Sequence, residues 1–237
     1  MTIGFSTGAL ARGDFRRALQ ILAGKNTSAV ELSALRQDEL QPLVEAIESL
    51  DLGSFEYVSF HAPSSMEAGF EQRALELLGR VSHLGWPIIV HPDAMHRPED
   101  WNRLRECLCI ENMDKRKPIG QTADDLERFF EILPSASLCF DIGHARQVDP
   151  TMGEAAIILS RFADKIQQLH VSEVNSQSKH DRLSCESVLA FQRVSHLVPT
   201  DIPVILESRV EEAEIEEEIT RVREVLSPEN HLAMASD

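Results

Sequence analysis

Residues 138–144 read LCFDIGH, and they carry the pattern from which the fold is predicted. A short apolar run of β-strand character ends on an acid, Asp141, and a histidine, His144, follows three residues later. Side chains alternate faces along a strand, so Cys139 and Asp141 share one face. A comparable run, LCIEN at residues 108–112, ends on a second acid. The chain therefore contains apolar strands that present a carboxylate at their C-terminal ends.

Apolar runs of this kind recur along the whole chain and alternate with segments of helical periodicity. The predicted strands are Ile3–Ser6, Ala29–Leu32, Tyr57–His61, Ile88–His91, Leu108–Asn112, Leu138–Ile142, Ile166–Ser172 and Val204–Ser208. Eight strands that alternate with helices in 237 residues predict an α/β fold, a single (β/α)8 TIM barrel. A doubly wound open sheet is the alternative, but no G-x-G-x-x-G motif follows the first strand. We expect the barrel to span residues 1–228 and residues 229–237 to form a polar tail.

Three segments carry clear helical signals. One apolar stripe of helical spacing comprises Leu40, Leu43, Val44, Ile47 and Leu50. A second stripe, near the C-terminus, comprises Ile215, Ile219, Val222 and Leu226. Thr122, followed three residues later by Asp125, predicts the capped start of another helix. We expect the last helix to stop at Ser227-Pro228, because proline cannot continue a helix.

The composition is that of an acidic globular protein. The chain has 23 Lys and Arg residues against 39 Asp and Glu residues, a formal net charge of −16. Nucleic-acid binding depends on Lys and Arg that neutralise phosphates, so this charge disfavours a nucleic-acid partner. The N-terminus lacks a basic segment before a long apolar run, and no stretch approaches the roughly 18–20 apolar residues that span a bilayer. These features exclude membrane and secreted classes and predict a cytoplasmic protein.

The cysteines agree with that compartment. The four residues Cys107, Cys109, Cys139 and Cys185 show neither C-x-x-C spacing nor the density of a disulfide scaffold. Three of them lie in strand-like apolar runs, where a free thiol acts as a small hydrophobe. We expect these three in the core and Cys185 as an exposed thiol.

An acid or an imidazole stands near the end of seven of the eight predicted strands. In chain order these residues are Glu31, His61, His91, Glu111, Asp141, His170 and Glu207. In a barrel, the C-terminal ends of the strands meet at one rim, where active sites are built. The seven side chains are therefore predicted to converge on one mouth.

The acids in this set predict a metal site. Glu111, Asp141 and Glu207 would repel one another strongly without a cation. With His170 they form a mostly oxygen donor set suited to Mn²⁺, Mg²⁺, Co²⁺ or Zn²⁺. Further imidazoles shift the preference to Zn²⁺ or Mn²⁺ and allow one to three ions; they are His61, His91, His144 and His180. Any one of these residues alone could be structural, but the group as a whole favours a divalent metal.

The order of strand-end residues resembles the xylose-isomerase-like TIM-barrel superfamily, which holds sugar isomerases and epimerases together with apurinic endonucleases of the endonuclease IV type. The resemblance covers nearly the whole chain and rests on four motifs: IEN at 110–112, DIGH at 141–144, LHVS at 169–172 and LES at 206–208. In the epimerase branch it implies one divalent ion held by four residues, Glu111, Asp141, His170 and Glu207.

The endonuclease branch of the same superfamily implies a larger centre. By resemblance, His61 and His91 match two additional zinc ligands, and His144 either reaches the substrate or binds a further zinc. His180 lies near an Asp-x-His pair of that branch, but Ser178 stands where the pair has its Asp. Asp181 is the alternative donor.

Two functions from different classes follow. The first is a metal-dependent isomerase or epimerase of a small polyhydroxy compound, in which Glu111 and Glu207 move the proton next to a carbonyl. Its predicted substrate-binding residues are Glu31, His61, His144 and Arg209. The alternative is a multinuclear zinc phosphoesterase, related to endonuclease IV, in which clustered ions activate water.

Two further interpretations stay open. A barrel that binds a metabolite without turnover is the third possibility, and the intact set of acids argues against it. Phe129 and Phe130 could form an interface between copies of the chain in a homo-oligomer, although burial in the barrel's own packing explains them equally well.

Overall fold

Eight parallel strands close into a barrel in the computed structural model, which describes residues 1–227. With a separate two-stranded hairpin, the described residues contain ten strands: β1 (Ile3–Ser6), β2 (Ala29–Ser33), β3 (Tyr57–His61), β4 (Ile88–Val90), β5 (Leu108–Glu111), β6 (Ser137–Asp141), β7 (Ile166–Val171), β8 (Glu173–Val174), β9 (His180–Asp181) and β10 (Val204–Leu206). Strands β1 to β7 pair in chain order, and β10 closes the barrel between β7 and β1. Strands β8 and β9 form a small antiparallel hairpin beyond β7. The predicted (β/α)8 barrel is confirmed.

Helices surround the barrel. They are α1 (Thr7–Ala11), α2 (Phe15–Leu22), α3 (Gln37–Ala46), α4 (Glu71–Ser82), α5 (Ala123–Ile132), α6 (Ile142–Val148), α7 (Gly153–Arg161), α8 (Cys185–Gln192) and α9 (Ile215–Val225). The expectation of an α-helix after every strand is wrong at β4, which is followed by 3₁₀ segments at Pro92–Ala94 and Pro98–Cys107. Proline begins both segments and lacks an N–H group, and Arg105, with φ of 52°, interrupts the second one.

The predicted helical stripes face the core. In α3, Leu40, Leu43 and Val44 are buried, while the stripe continues into a 3₁₀ turn at Ile47–Ser49. Helix α9 buries its apolar stripe in the same way. Pro228 and the predicted tail at 229–237 lie outside the described residues.

The apolar core has two parts. The larger part lies between the strands and the helices, and it includes Trp101. A small separate cluster inside the barrel consists of Ile89, Cys109 and Cys139. This cluster fills the barrel below the C-terminal mouth, so the next inward-facing residues along the same strands reach the rim.

Most of the predictions about the burial of individual residues are confirmed, but the one for Cys107 is not. Cys109 and Cys139 are buried and Cys185 is exposed, as predicted, whereas Cys107 is only half-buried and ends the 3₁₀ segment before β5. Phe129 and Phe130 are both buried, and the ring of Phe130 packs 5.1 Å from that of Phe162. These two rings therefore belong to the barrel's own packing, and a homo-oligomer stays a prediction. Within residues 1–227, no helix is long and apolar enough to cross a membrane.

We expect Thr122→Ala to destabilise the fold by about 1 kcal/mol, the usual value of a helix N-cap. The Thr122 hydroxyl accepts a hydrogen bond of 3.2 Å from the backbone N–H of Asp125 at the start of α5. Urea unfolding of both proteins measures the difference. Thr122→Ser keeps the acceptor and is the matched control, so an equal loss in both variants would contradict the capping role.

Candidate metal centre

Asp141 and His144 are held at the mouth by the backbone around them. Asp141 ends β6, and its Oδ1 accepts a hydrogen bond of 2.6 Å from the His144 N–H at the start of α6. Gly143 allows this tight connection, because a Cβ there would lie 2.4 Å from the carbonyl oxygen of Ser172. The side chain of Asn112 bonds both the N–H (2.7 Å) and the carbonyl (2.8 Å) of Asp141. Neighbouring strand ends are therefore fixed relative to one another.

The four residues that the resemblance implies for one divalent ion come together. Glu111, Asp141, His170 and Glu207 each offer a ligand atom, and these atoms lie within 4.8 Å of one another. His170 Nδ1 lies 3.2 Å from Glu111 Oε1 and 3.8 Å from Glu207 Oε2. Three carboxylates and one imidazole around one point are a suitable donor set for a divalent cation.

A second group forms on the other oxygen of Glu111. The Nε2 atoms of His61 and His91 both lie 3.1 Å from Glu111 Oε2. The two rings meet edge to face with their centres 5.1 Å apart. Glu111 thus has imidazoles at both carboxylate oxygens and joins two groups of candidate ligands.

A third group consists of Asp141, His144 and His180. His180 Nδ1 lies 2.8 Å from the Ser172 hydroxyl and 3.2 Å from Glu207 Oε2. The structure does not bring Asp181 into this group, because Asp181 is exposed and accepts a hydrogen bond from Asn175. Adjacent residues of β9 point to opposite faces, so His180 and Asp181 cannot both face the mouth.

Ser178 does not replace the missing acid of the third group. Its hydroxyl donates a 2.7 Å hydrogen bond to Asp114 Oδ1, which also accepts from the backbone N–H of Arg116 at 2.9 Å. Burial opposes the charge on Asp114, but these hydrogen bonds outweigh burial and lower its pKa to about 2. The contact ties the loop after β5 to the β8–β9 hairpin.

The electrostatics of the buried groups fit a cation. Burial opposes the charge on Glu111, but His170 and His91 outweigh it and hold the Glu111 pKa well below its usual range. Burial likewise opposes the charge on His61, yet Glu111 and Glu31 raise its pKa to about 9. The carboxylates therefore favour positive charge at this point, which protons on imidazoles or a bound cation would supply, whereas burial lowers the pKa of His91.

Three buried atoms of the candidate ligand groups have no hydrogen-bond partner within the described residues: Asp141 Oδ2, His91 Nδ1 and Glu31 Oε1. Burial, with the charge of Glu111 adding to it, raises the pKa of Asp141. An unpaired buried carboxylate oxygen is costly, and coordination to a cation removes the cost. The residues present therefore fit a divalent metal.

A cavity of about 210 Å³ opens over this centre. Its polar lining includes Ser33, His61, Ser64, His91, Glu111, Asp114, Arg116, Lys117, His144, His180, Glu207 and Arg209. Lys117 Nζ is paired with Asp93 at 2.8 Å, and Arg116 with Asp114. Arg209 is exposed and makes no hydrogen bond or ion pair with any residue of the described range.

The predicted site residues therefore occupy two levels. His61, His144 and Arg209 line the cavity, as do the ligand candidates Glu111, His91, His180 and Glu207. Asp141 and His170 lie directly behind them. Glu31 is fully buried and is not among the lining residues, although it forms a further candidate ligand group with His61 and Glu207. Its role in substrate binding stays a prediction.

Sequence reasoning missed the polar residues that support the centre. Asn112 stood inside the IEN motif without a role, and Asp114 follows two residues later. Gln168 precedes His170 by two positions in β7 and is fully buried. The period of two in a strand was the available signal, because it places Gln168 on the same inward face as His170.

A larger cavity of about 310 Å³ lies at the opposite end of the barrel. Its lining is mainly apolar and contains Met1, Val198, Pro199 and Ile202, with His196 as its one imidazole among residues 1–227. No acid of that range lines it, so the smaller cavity over the strand ends is the candidate site.

Known structures share this fold. Endonuclease IV from Thermus thermophilus matches with a TM-score of 0.62 and 17% identity over 95% of this chain and 99% of that one. A sugar phosphate isomerase/epimerase from Parabacteroides distasonis matches with a TM-score of 0.55 and 13% identity, over 95% and 94%. A xylose isomerase-like TIM barrel protein from Mycobacterium smegmatis, in complex with magnesium, matches with a TM-score of 0.58 and 12% identity, over 92% and 90%.

Identities this low establish the fold alone. The barrel fold expected from the resemblance is confirmed, and the solved structures that share it include an endonuclease IV and a sugar phosphate isomerase/epimerase. No protein-family model matches the sequence, and neither does any curated protein.

Asp114 gives the metal-free protein a pH-dependent part of its stability. Its folded pKa of about 2 lies below the ordinary value of 3.8, so the contribution is present above pH 4 or so and is lost as pH falls toward about 2. We expect wild type to exceed Asp114→Asn in urea midpoint most at pH 6, with the gap narrowing at pH 4 and again at about pH 3. Asp201→Asn, at an exposed position, is the control. A gap that stays constant with pH would contradict the role of the Asp114 charge.

Proposed function

We propose that this chain is a divalent-metal-dependent hydrolase of a small phosphoester, with a centre of two or three ions. The observation that carries the proposal is the position of Glu111. One of its oxygens faces His61 and His91 at 3.1 Å each, and the other faces His170 at 3.2 Å. Glu111 would therefore contribute one oxygen to the group with His61 and His91 and the other to the group with His170, and each group would hold an ion.

The same position disfavours Glu111 as a base in an isomerase. A base that removes a proton from carbon needs an oxygen within reach of the substrate. Glu111 is fully buried, and both of its oxygens are directed at histidines. Glu207 differs, since its side chain is 15% exposed at the cavity and contacts His180.

The donor set favours zinc. The group around His61 and His91 adds two imidazoles to one carboxylate, and imidazole with carboxylate is a usual zinc environment. Manganese is the second choice, because the quartet around Asp141 is rich in oxygen. When bound, such ions supply Lewis-acid chemistry, which activates water and neutralises charge on a phosphoryl group.

The cavity favours a small anionic substrate. Its volume of about 210 Å³ is below the usual range for drug-sized ligands. Of the three cationic side chains in its lining, Lys117 pairs with Asp93 and Arg116 pairs through Nε with Asp114, whereas Arg209 makes no ion pair within the described residues. The guanidinium of Arg209 would bind phosphate oxygens through charge-assisted hydrogen bonds. With a net charge of −16 and so few cations at the mouth, a nucleic-acid substrate is disfavoured.

A sugar or polyol isomerase is the second candidate. The observation that favours it is the quartet of Glu111, Asp141, His170 and Glu207, which suffices for one ion. Glu207 at the cavity could then exchange a proton with a substrate carbon. Both kinds of activity occur among proteins with this fold. Metal stoichiometry and substrate tests are therefore needed to decide between the hydrolase and the isomerase. The cytoplasm is the proposed compartment, because all four cysteines are free thiols.

Metal stoichiometry separates the two candidates. We expect wild-type protein saturated with Zn²⁺ and freed of excess to contain two or three ions per chain, and His61→Ala to contain one fewer. The matched control is His83→Ala, which removes an exposed imidazole outside the cavity. Elemental analysis by mass spectrometry gives the count. One ion in both wild type and His61→Ala would reject the multinuclear centre and favour the isomerase.

Turnover tests the reaction itself. We expect zinc-loaded protein to hydrolyse p-nitrophenyl phosphate or bis(p-nitrophenyl) phosphate, and Glu207→Gln to lose this activity while its circular dichroism stays unchanged. The amide keeps the size of Glu207 but removes the charge that serves the ligand set. His83→Ala should keep full activity. Epimerisation of ketoses with no phosphoester hydrolysis would instead support the second candidate.

A further inference from the structure

Glu31 is a buried acid that the proposed reaction does not use. It stands in β2, has no exposed surface and is not among the residues that line the cavity. Its Oε2 atom is nevertheless crowded by donors: Gln168 Nε2 at 2.7 Å, His170 Nε2 at 3.0 Å and the Ser59 hydroxyl at 3.2 Å. Its Oε1 atom has no hydrogen-bond partner within the described residues, so Glu31 could also serve as a ligand with His61 and Glu207, and the test below separates the two roles. Burying a carboxylate inside a barrel costs free energy, which indicates that Glu31 has a structural or functional role.

His170 connects Glu31 to the candidate metal centre. The two nitrogens of its ring face opposite ways, and each meets a different carboxylate. Nδ1 lies 3.2 Å from Glu111 Oε1 and 3.8 Å from Glu207 Oε2, whereas Nε2 lies 3.0 Å from Glu31 Oε2. A neutral imidazole binds a metal through the nitrogen that carries no proton, so the proton must sit on the other one. Glu31 accepts only, and it therefore favours the proton on Nε2.

Gln168 is the neighbour on the Nε2 side, among the described residues, that could favour the opposite tautomer. On the other side, Glu111 Oε1 would accept a proton from Nδ1 only while no cation occupies the position between them. Its amide nitrogen lies 2.8 Å from His170 Nε2, and donation there would move the ring proton to Nδ1. The same nitrogen lies 2.7 Å from Glu31 Oε2, and a carboxylate is the stronger acceptor. The Gln168 carbonyl oxygen accepts from the Tyr57 hydroxyl at 2.8 Å, which fixes the orientation of the amide. Gln168 thus supports Glu31 and leaves Nε2–H to donate to the carboxylate.

We propose that Glu31 is a positioning residue, which holds His170 with its proton on Nε2 so that Nδ1 is presented to a divalent cation bound by Glu111, Asp141 and Glu207. This role differs from the substrate-binding role expected from the sequence. The inference rests on the metal centre of the proposed function, but it is independent of whether the reaction is hydrolysis or isomerisation.

The test compares the Zn²⁺ affinity of wild type, Glu31→Gln and Glu71→Gln by competition with a chromophoric chelator. Loss of a partner that orients a metal-bound histidine weakens metal affinity about 10–100-fold, so Glu31→Gln should bind zinc at least about 10-fold more weakly at unchanged stoichiometry. Glu71 is an equally buried acid outside the cavity, where it accepts from Trp101 Nε1 at 2.9 Å. Glu71→Gln makes the same chemical change there and should keep wild-type affinity even if it lowers stability.

A second measurement does not depend on any variant folding. In zinc-loaded wild type, the ring nitrogen chemical shifts of His170 should show a protonated Nε2 and a metal-bound Nδ1. An unprotonated or metal-bound Nε2 would overturn the proposal, as would wild-type affinity in Glu31→Gln. Loss of a whole ion from Glu31→Gln at saturating zinc would make Glu31 a ligand and also overturn it. If wild type itself binds no divalent ion, the metal centre of the proposed function falls first, and the role of Glu31 falls with it.

Discussion

The buried charge of Glu111 is the constraint on which the rest of the site depends. A carboxylate without access to water is tolerated only where donors or cations surround it. Here the donors are His61, His91 and His170, which come from three other strands of the barrel. The imidazoles and the carboxylate therefore hold four strand ends at one point. The same atoms belong to groups that could hold a cation, so the contacts that neutralise the acid are also the candidate metal ligands.

The loops over the centre are fixed by a second set of polar contacts. Asn112 bonds both backbone groups of Asp141, and Ser178 bonds Asp114 across the mouth. Lys117 joins the loop after β5 to Asp93 in the segment after β4. Ligand groups supported in this way lose little freedom when they bind a cation, which raises affinity and geometric precision. As a result, most cationic side chains near the mouth form ion pairs with acids of the protein itself.

The net charge of the chain and the charges of the candidate metal centre therefore come from different sets of residues. The net charge of −16 arises largely from solvent-facing acids, as on α9, whose first turn carries Glu216 and Glu217. The acids of the candidate metal centre are few, mostly buried and paired with imidazoles. Arg209 is an exposed guanidinium at the mouth that makes no ion pair within the described residues.

The sequence by itself determined the barrel and the list of candidate ligands. Alternation of apolar runs with helical stripes predicted all eight barrel strands; the largest difference is at β10, which ends at Leu206 and not at Ser208. Strand periodicity placed the acids and histidines at one rim, because parallel strands share their C-terminal edge. The distances between side chains on different strands are set by closure of the barrel, and no local pattern in the sequence predicts them. Only the tertiary structure could therefore decide that Glu111 is shared by two groups of candidate ligands. It also decided that Asp181 points away from the mouth and that Glu31 lies behind His170.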